Sequence, residues 1–193
     1  MAGEPAIHTS YADYLAFERS APTKHEYVAG MVVAMAGGSP EHARLAGRLA
    51  RFIGVAIDGR PCDVFSSDLR VRISETNRST YPDLTVVCGR RQTAADDDDA
   101  IVNPTVLVEI LSDSTEADDR GEKFAHYRRL ASLQEYVLVA QKAQRIEVFR
   151  REGDRWVLTE HGPGTRVELP SIGASIPVDE VYRDPLASEG RTP

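Results

Sequence analysis

Asp83, Glu109 and Lys123 have the types and order that metal-assisted phosphate chemistry uses. Asp83 follows Pro82 at the entry to the apolar run LTVVC, and Glu109 sits in the middle of PTVLVEILSDST, residues 104–115. A carboxylate in so apolar a strand is costly to bury unless a cation meets it. Two carboxylates brought together repel, and one takes up a proton unless a positive charge lies between them. Oxygen donors of this kind suit Mg²⁺, which takes one or two carboxylates and fills its shell with water and phosphate oxygens. Lys123, in GEKFAHY, supplies an ammonium that can hold a water or stabilise charge as a phosphate is attacked.

The elements that position these residues follow from periodicity. Ser10 and Asp13 read as a capping box for a short helix from Tyr11 to Arg19. EYVAGMVVAM reads as a hairpin turning at Ala29-Gly30. Ser39 and Pro40 are the cap and first position of a longer helix, with Leu45, Leu49, Phe52, Ile53 and Ile57 on one face. Three strands follow: FSSDLRVRI, with Phe65, Leu69, Val71 and Ile73 on a buried face and Ser66, Asp68, Arg70 and Arg72 on a polar one, then PDLTVVCG and PTVLVEIL nearer the sheet centre. Asp118 to Leu130 is helical, with Phe124, Tyr127 and Leu130 inward. EYVLVA is the next strand, and QRIEVFR and RWVLTE form a meander. The order is helix, three strands, helix, strand, which predicts an α/β (α+β) fold with a mixed sheet flanked by helices. Sequential strands are usually neighbours, so Asp83 and Glu109 are expected to converge.

Composition narrows the setting. The 193 residues predict one domain, with an ordered core over about 11–182 and a polar tail over 184–193. No apolar run approaches the roughly 20 residues of a membrane span. MAGEPAIHTS is too polar for a secretory signal, so a cytoplasmic protein is expected. Cys62 and Cys88 are expected to be reduced core residues. The net charge of −7 disfavours a general grip on nucleic acid. Asp96 to Asp99, read as a solvated loop, carries −4 of it, and residues 120–155 hold nine Lys and Arg against five Asp and Glu.

YPDLTVVCG, PTVLVEILSDST and DRGEKFAHYRRLASLQEYVLV together resemble the PD-(D/E)XK nuclease superfamily, and within it the restriction endonuclease branch of small bacterial proteins called Uma-two family endonucleases. The resemblance runs from about Tyr11 to Tyr182. It implies a restriction-endonuclease-like αβββαβ core with an extra N-terminal hairpin and C-terminal strands. It also implies Asp83 and Glu109 as Mg²⁺ ligands, with Mn²⁺ as an alternative ion, and a homodimer acting on DNA. Two positions depart from the pattern. Where the superfamily has a lysine two places after the acid this chain has Leu111, so the lysine is assigned to Lys123 on the helix. Asp113 stands where similar proteins often have proline.

Further residues join these with bland alternatives beside them. The Ile110 carbonyl is a candidate third metal ligand. His42 is a candidate accessory group, with Glu41 competing for that role. Tyr127 shares the Lys123 face, where core packing is the plainer reading. His8, His25, His126 and His161 show no metal-ligand spacing. Arg120, Arg128 and Arg129, with Lys142, Arg145, Arg150 and Arg151, form a candidate phosphate-tracking surface or a solvated face. Glu109 could instead pair with Arg70 or Arg72. The expected activity is metal-dependent endonucleolytic hydrolysis of DNA by a metal-activated water; the alternative is a non-catalytic oligomeric or regulatory protein on the same fold.

Overall fold

The two serines predicted as helix caps each accept a backbone N–H at 3.1 Å, Ser10 from Asp13 and Ser39 from His42. They open helices α1 (Tyr11–Glu18) and α2 (Pro40–Ala56). The computed structural model describes residues 8–186. The N-terminal segment read for a secretory signal therefore lies mostly outside the described residues, as do residues 187–193 of the polar tail. Between the helices, β1 (His25–Val28) and β2 (Met31–Ala34) form the predicted hairpin. Its turn residues Ala29 and Gly30 have φ of 47° and 102°, the two positive values that the favoured two-residue turn requires.

After α2 come β3 (Cys62–Ser66), β4 (Arg70–Ile73), β5 (Arg78–Thr80), β6 (Leu84–Cys88), β7 (Thr93–Ala94), β8 (Asp97–Ile101) and β9 (Val106–Leu111). A helical stretch follows: α3 (Glu116–Asp118), a π-helical segment (Asp119–Lys123) and α4 (Phe124–Tyr127). Then come β10 (Glu135–Ala140), β11 (Ile146–Glu152), β12 (Arg155–His161), β13 (Arg166–Leu169), β14 (Ala174–Pro177) and α5 (Val178–Tyr182). One six-stranded sheet has the order β12-β11-β10-β9-β6-β3 and a second the order β2-β1-β5-β4-β8-β7, with β13 and β14 as a separate pair. The fold is mixed α+β. Within the first sheet, α2, β3, β6, β9, the α3–α4 stretch and β10 realise the predicted αβββαβ order, and β10 lies parallel to β9 as a helical crossover demands.

Alternation along β9 divides the interior. Val106, Val108 and Ile110 face α2, where Leu45, Leu49 and Ile53 are fully or almost fully buried against them. Each such side chain contributes roughly 1.5–3 kcal/mol through its burial. Leu107 and Leu111 face the other way, into a cluster with Tyr127, Leu130, Tyr136 and Leu138 that also takes in Val71 and Ile73 of β4. Glu109 belongs to this second face by its parity.

Three expectations are corrected. FSSDLRVRI is not one strand: it turns at Ser67-Asp68, where Leu69 N donates to Ser66 O at 3.1 Å, and its halves, β3 and β4, join different sheets. Its predicted polar face is therefore split: Arg70 and Arg72 are buried, whereas Ser66 and Asp68 stay exposed. The acidic run is not a solvated loop: Asp97 begins β8 and is 3% exposed, because Arg70 donates to both its oxygens at 2.8 and 3.0 Å and Tyr11 adds a third bond at 2.8 Å. Nor are the cysteines reduced. β3 and β6 pair antiparallel with Cys62 opposite Cys88, which brings their Cα atoms to 4.0 Å, and the two sulfurs form a disulfide. Pairing register made neighbours of residues 26 apart in sequence.

Candidate active site

Register brings the two carboxylates together. β6 and β9 pair antiparallel with Leu84 opposite Val108, so Asp83, one residue before β6, comes beside Glu109, near enough for its charge to act on the Glu109 carboxyl. The Asp83 carboxylate also accepts the Ile110 N–H through Oδ2 at 2.7 Å, which ties the strand entry to β9. Asp83 thus bonds the backbone of the neighbouring strand and keeps Oδ1 outside that bond.

Glu109 is 4% exposed. Its Oε1 accepts the Tyr127 hydroxyl at 2.7 Å and lies 3.2 Å from Lys123 Nζ. Arg70 and Arg72 are not its partners, since Arg70 pairs with Asp97 and Arg72 with Asp96. Tyr127 is fully buried, so packing and site contact coincide there. The π-helical segment explains how Lys123 arrives: its wider turn directs both Asp119 and Lys123 inward, Oδ1 to Nζ 3.1 Å. Tyr136 pins that segment by donating to the Asp119 carbonyl at 2.9 Å.

The sequence reading missed two members of the site. Asp119 is 1% exposed, and its four-residue spacing from Lys123 was the available signal. Glu26 comes from β1 in the other sheet, with Oε1 3.4 Å from Lys123 Nζ. Its signal was the one that exposed Glu109, a carboxylate inside a short strand. One ammonium therefore faces three carboxylates.

The protonation behaviour follows from this imbalance. Burial, reinforced by Asp83 and Asp119, pushes the Glu109 carboxyl up to about 8, although Lys123 and Tyr127 pull the other way. Burial likewise raises Asp119. For Lys123, burial works against the ammonium, but Glu109, Glu26 and Asp119 outweigh it and hold the group well above the usual lysine range. Glu26 is held below the usual carboxylate range, because Lys123, Thr80 and Arg78 overcome the cost of its burial.

His42, at the start of α2, places Nε2 3.1 Å from Asp83 Oδ2, and that bond raises its pKa against the opposing effect of burial. Glu41 is engaged elsewhere, with Arg44 at 2.6 Å. Asp83, Glu109, Lys123 and His42 line a cleft of 1810 Å³ in which acidic side chains outnumber basic ones. The arginines of the candidate phosphate surface are mostly committed. Arg120 binds Glu116 and Glu147 at 2.8 and 2.6 Å, Arg129 lies 3.4 Å from Glu75, and Arg128 is exposed.

Could this site hold a divalent cation? The protein's own hydrogen bonds go to Oε1 of Glu109 and Oδ2 of Asp83, leaving the second oxygen of each carboxylate to take a hard ion. A carboxyl pushed up by burial and like charge is one that a cation would relieve. Among the described residues no three His, Cys, Asp or Glu side chains gather as a ready-made metal cage. The donor set therefore fits an ion content with two carboxylates, a backbone carbonyl such as that of Ile110, and water, which is the habit of Mg²⁺.

Residues 11–179 match the model of the Uma2 family, described as "Putative restriction endonuclease". The chain is 38% identical over 180 residues to the uncharacterized protein slr1290 of Synechocystis sp. (strain PCC 6803), covering 93% of this chain and 94% of that one. It is 37% identical over 150 residues to sll1609 of the same organism, also uncharacterized, covering 77% and 85%. Among solved structures, a crystal structure from Anabaena variabilis described as "a putative nuclease belonging to DUF820" shares the fold, with a TM-score of 0.71, 18% identity, and 89% and 96% of the two chains covered.

Proposed function

The chain belongs to the Uma2 family of restriction-endonuclease-like proteins, and on that premise we propose that it is a metal-dependent endonuclease hydrolysing phosphodiester bonds of DNA. The observation that carries this reading is the convergence of Asp83, Glu109 and Lys123 at the wall of one cleft, from two neighbouring inner strands and the helical segment that follows them. Asp83 and Glu109 would hold the cation, with the Ile110 carbonyl as the backbone donor. When bound, Mg²⁺ or Mn²⁺ supplies Lewis-acid polarisation of the phosphate and lowers the pKa of a coordinated water.

The remaining work falls to the chain itself. Lys123, kept charged by its carboxylates, presents an ammonium to the attacking water or to the charge that develops on the phosphate. His42 fixes Asp83 through Oδ2, and the Ile110 N–H does the same from β9, so the carboxylate cannot rotate freely. Tyr127 orients Glu109. In this reading the protein works as a homodimer and needs no membrane; no described helix is long and apolar enough to cross one.

A second reading, a non-catalytic interaction or regulatory protein, draws support from the acidic lining of the cleft and from the pairing of Arg120 with two carboxylates. An acidic cleft repels a polyanion unless cations enter with it. Plasmid and single-stranded DNA incubated with the protein and Mg²⁺ or Mn²⁺, beside Lys123→Ala and Asp83→Ala, separate the two. Metal-dependent cleavage lost in both variants supports the nuclease. Equal cleavage by all three points to a contaminant, and no cleavage by any favours the second reading.

A further inference from the structure

Glu26 reaches the site from outside the αβββαβ core. It sits on β1, 8% exposed, and it lines the same cleft as Glu109 and Lys123. Three donors surround it: the Thr80 hydroxyl, Arg78 Nη2 at 3.2 Å and Lys123 Nζ at 3.4 Å. A purely structural role would be to neutralise Arg78, yet Arg78 already has Asp118 at 2.9 Å. The Lys123 contact is the one that leads toward chemistry.

The three carboxylates around Lys123 are not equivalent. Glu109 is the one assigned to the cation, and an ammonium and a divalent ion against the same carboxylate repel each other. Lys123 then needs anionic partners that are not themselves ligands. Asp119 is one, but it rides on the same π-helical segment, four residues back, and so moves with the lysine. Glu26 is anchored in the opposite sheet by Arg78 and Thr80 of β5. Of the two, Glu26 alone refers the ammonium to a fixed point outside its own helix.

We propose that Glu26 is the positioning residue for Lys123, holding its ammonium between the two sheets while Glu109 serves the cation, and that the N-terminal hairpin is thereby part of the active site. This rests on the nuclease reading for what Lys123 does, and on geometry alone for where Glu26 holds it. Two readouts on purified full-length protein keep those claims apart. The variants are Glu26→Gln, Glu26→Asp and, as a control, Glu135→Gln, which removes a buried β10 carboxylate that is held by Ser171 and makes no contact with Lys123.

In plasmid cleavage with Mg²⁺, Glu26→Gln is expected to lower kcat on the order of 100-fold with KM unchanged, the scale of a misplaced catalytic group. Glu26→Asp, which keeps the charge, recovers much of that loss, and Glu135→Gln leaves kcat near wild type. In pulsed acylation of lysines read by peptide mass spectrometry, Lys123 is expected to label several-fold faster in Glu26→Gln and at the wild-type rate in Glu135→Gln. If the wild-type protein cleaves nothing, the nuclease reading falls and the labelling still decides Glu26. Wild-type labelling of Lys123 in Glu26→Gln, whatever the cleavage rate, overturns the proposal.

Discussion

Two clusters of buried charge sit a few strands apart in this protein, and they are built on opposite principles. Around Arg70, one guanidinium meets one carboxylate, Asp97, through two bonds, and Tyr81 and Tyr11 occupy positions left over. Around Lys123, one ammonium meets Glu109, Asp119 and Glu26, with Asp83 nearby. The first cluster is balanced. The second has more negative charge than the protein neutralises, and it opens on the cleft. A buried ion pair that is complete holds a fold together only modestly, whereas a surplus of like charge costs stability and is kept where something else is to bind.

The largest expected effect breaks the balanced cluster. Asp97→Ala leaves Arg70 buried without its counter-charge, and urea unfolding should report a loss of about 3–5 kcal/mol. A cost near zero would mean that Arg70 finds water in the native state. Next comes the unbalanced cluster with its missing charge supplied. Saturating Mg²⁺ should raise the melting temperature, by the equivalent of about 2.7 kcal/mol at a hundred times the dissociation constant, and Asp83→Ala should abolish the rise. An equal rise in the variant would place the ion elsewhere.

A smaller effect separates the clusters by pH. Burial works to raise the Asp97 carboxyl, but hydrogen bonds from Arg70 and Tyr11 prevail and hold it below the usual range. Its contribution is therefore present at neutral pH and is lost as pH falls below about 4 through the folded value. Glu109 has the opposite sign. Its carboxyl is raised to about 8, so it binds a proton more tightly when folded and costs stability as pH rises from about 4 toward 8. Melting of Asp97→Asn and Glu109→Gln against wild type should show the difference from wild type shrinking as pH falls below about 4 for the first and growing between about 4 and 8 for the second.

The sequence carried local and periodic features well. Both serine caps, the Ala29-Gly30 turn, the buried face of α2 and the strand through Glu109 lie where pattern placed them, because each depends on residues within a turn or two. The meeting of Asp83, Glu109 and Lys123 was legible because the strands carrying the acids are adjacent and the lysine follows in the next helix. What stayed hidden depends on pairing between distant segments. Arg70 and Asp97 looked like surface charge until β4 paired with β8. Cys62 and Cys88 looked separate until β3 paired with β6. Glu26 looked like one residue of a hairpin, since nothing local says that β1 will face the helix carrying Lys123.

Glu109→Gln tests the contrast most directly, because it removes surplus charge and a proposed ligand in a single near-isosteric change. Its melting temperature in metal-free buffer at pH 8 and its DNA cleavage with Mg²⁺ should be measured together. A variant that melts no lower than wild type yet cleaves no DNA is the expected result: a carboxylate kept for function at a cost to stability. A variant that melts far lower while cleaving like wild type would make Glu109 a structural partner of Lys123 and contradict the assignment of this cluster as the active site.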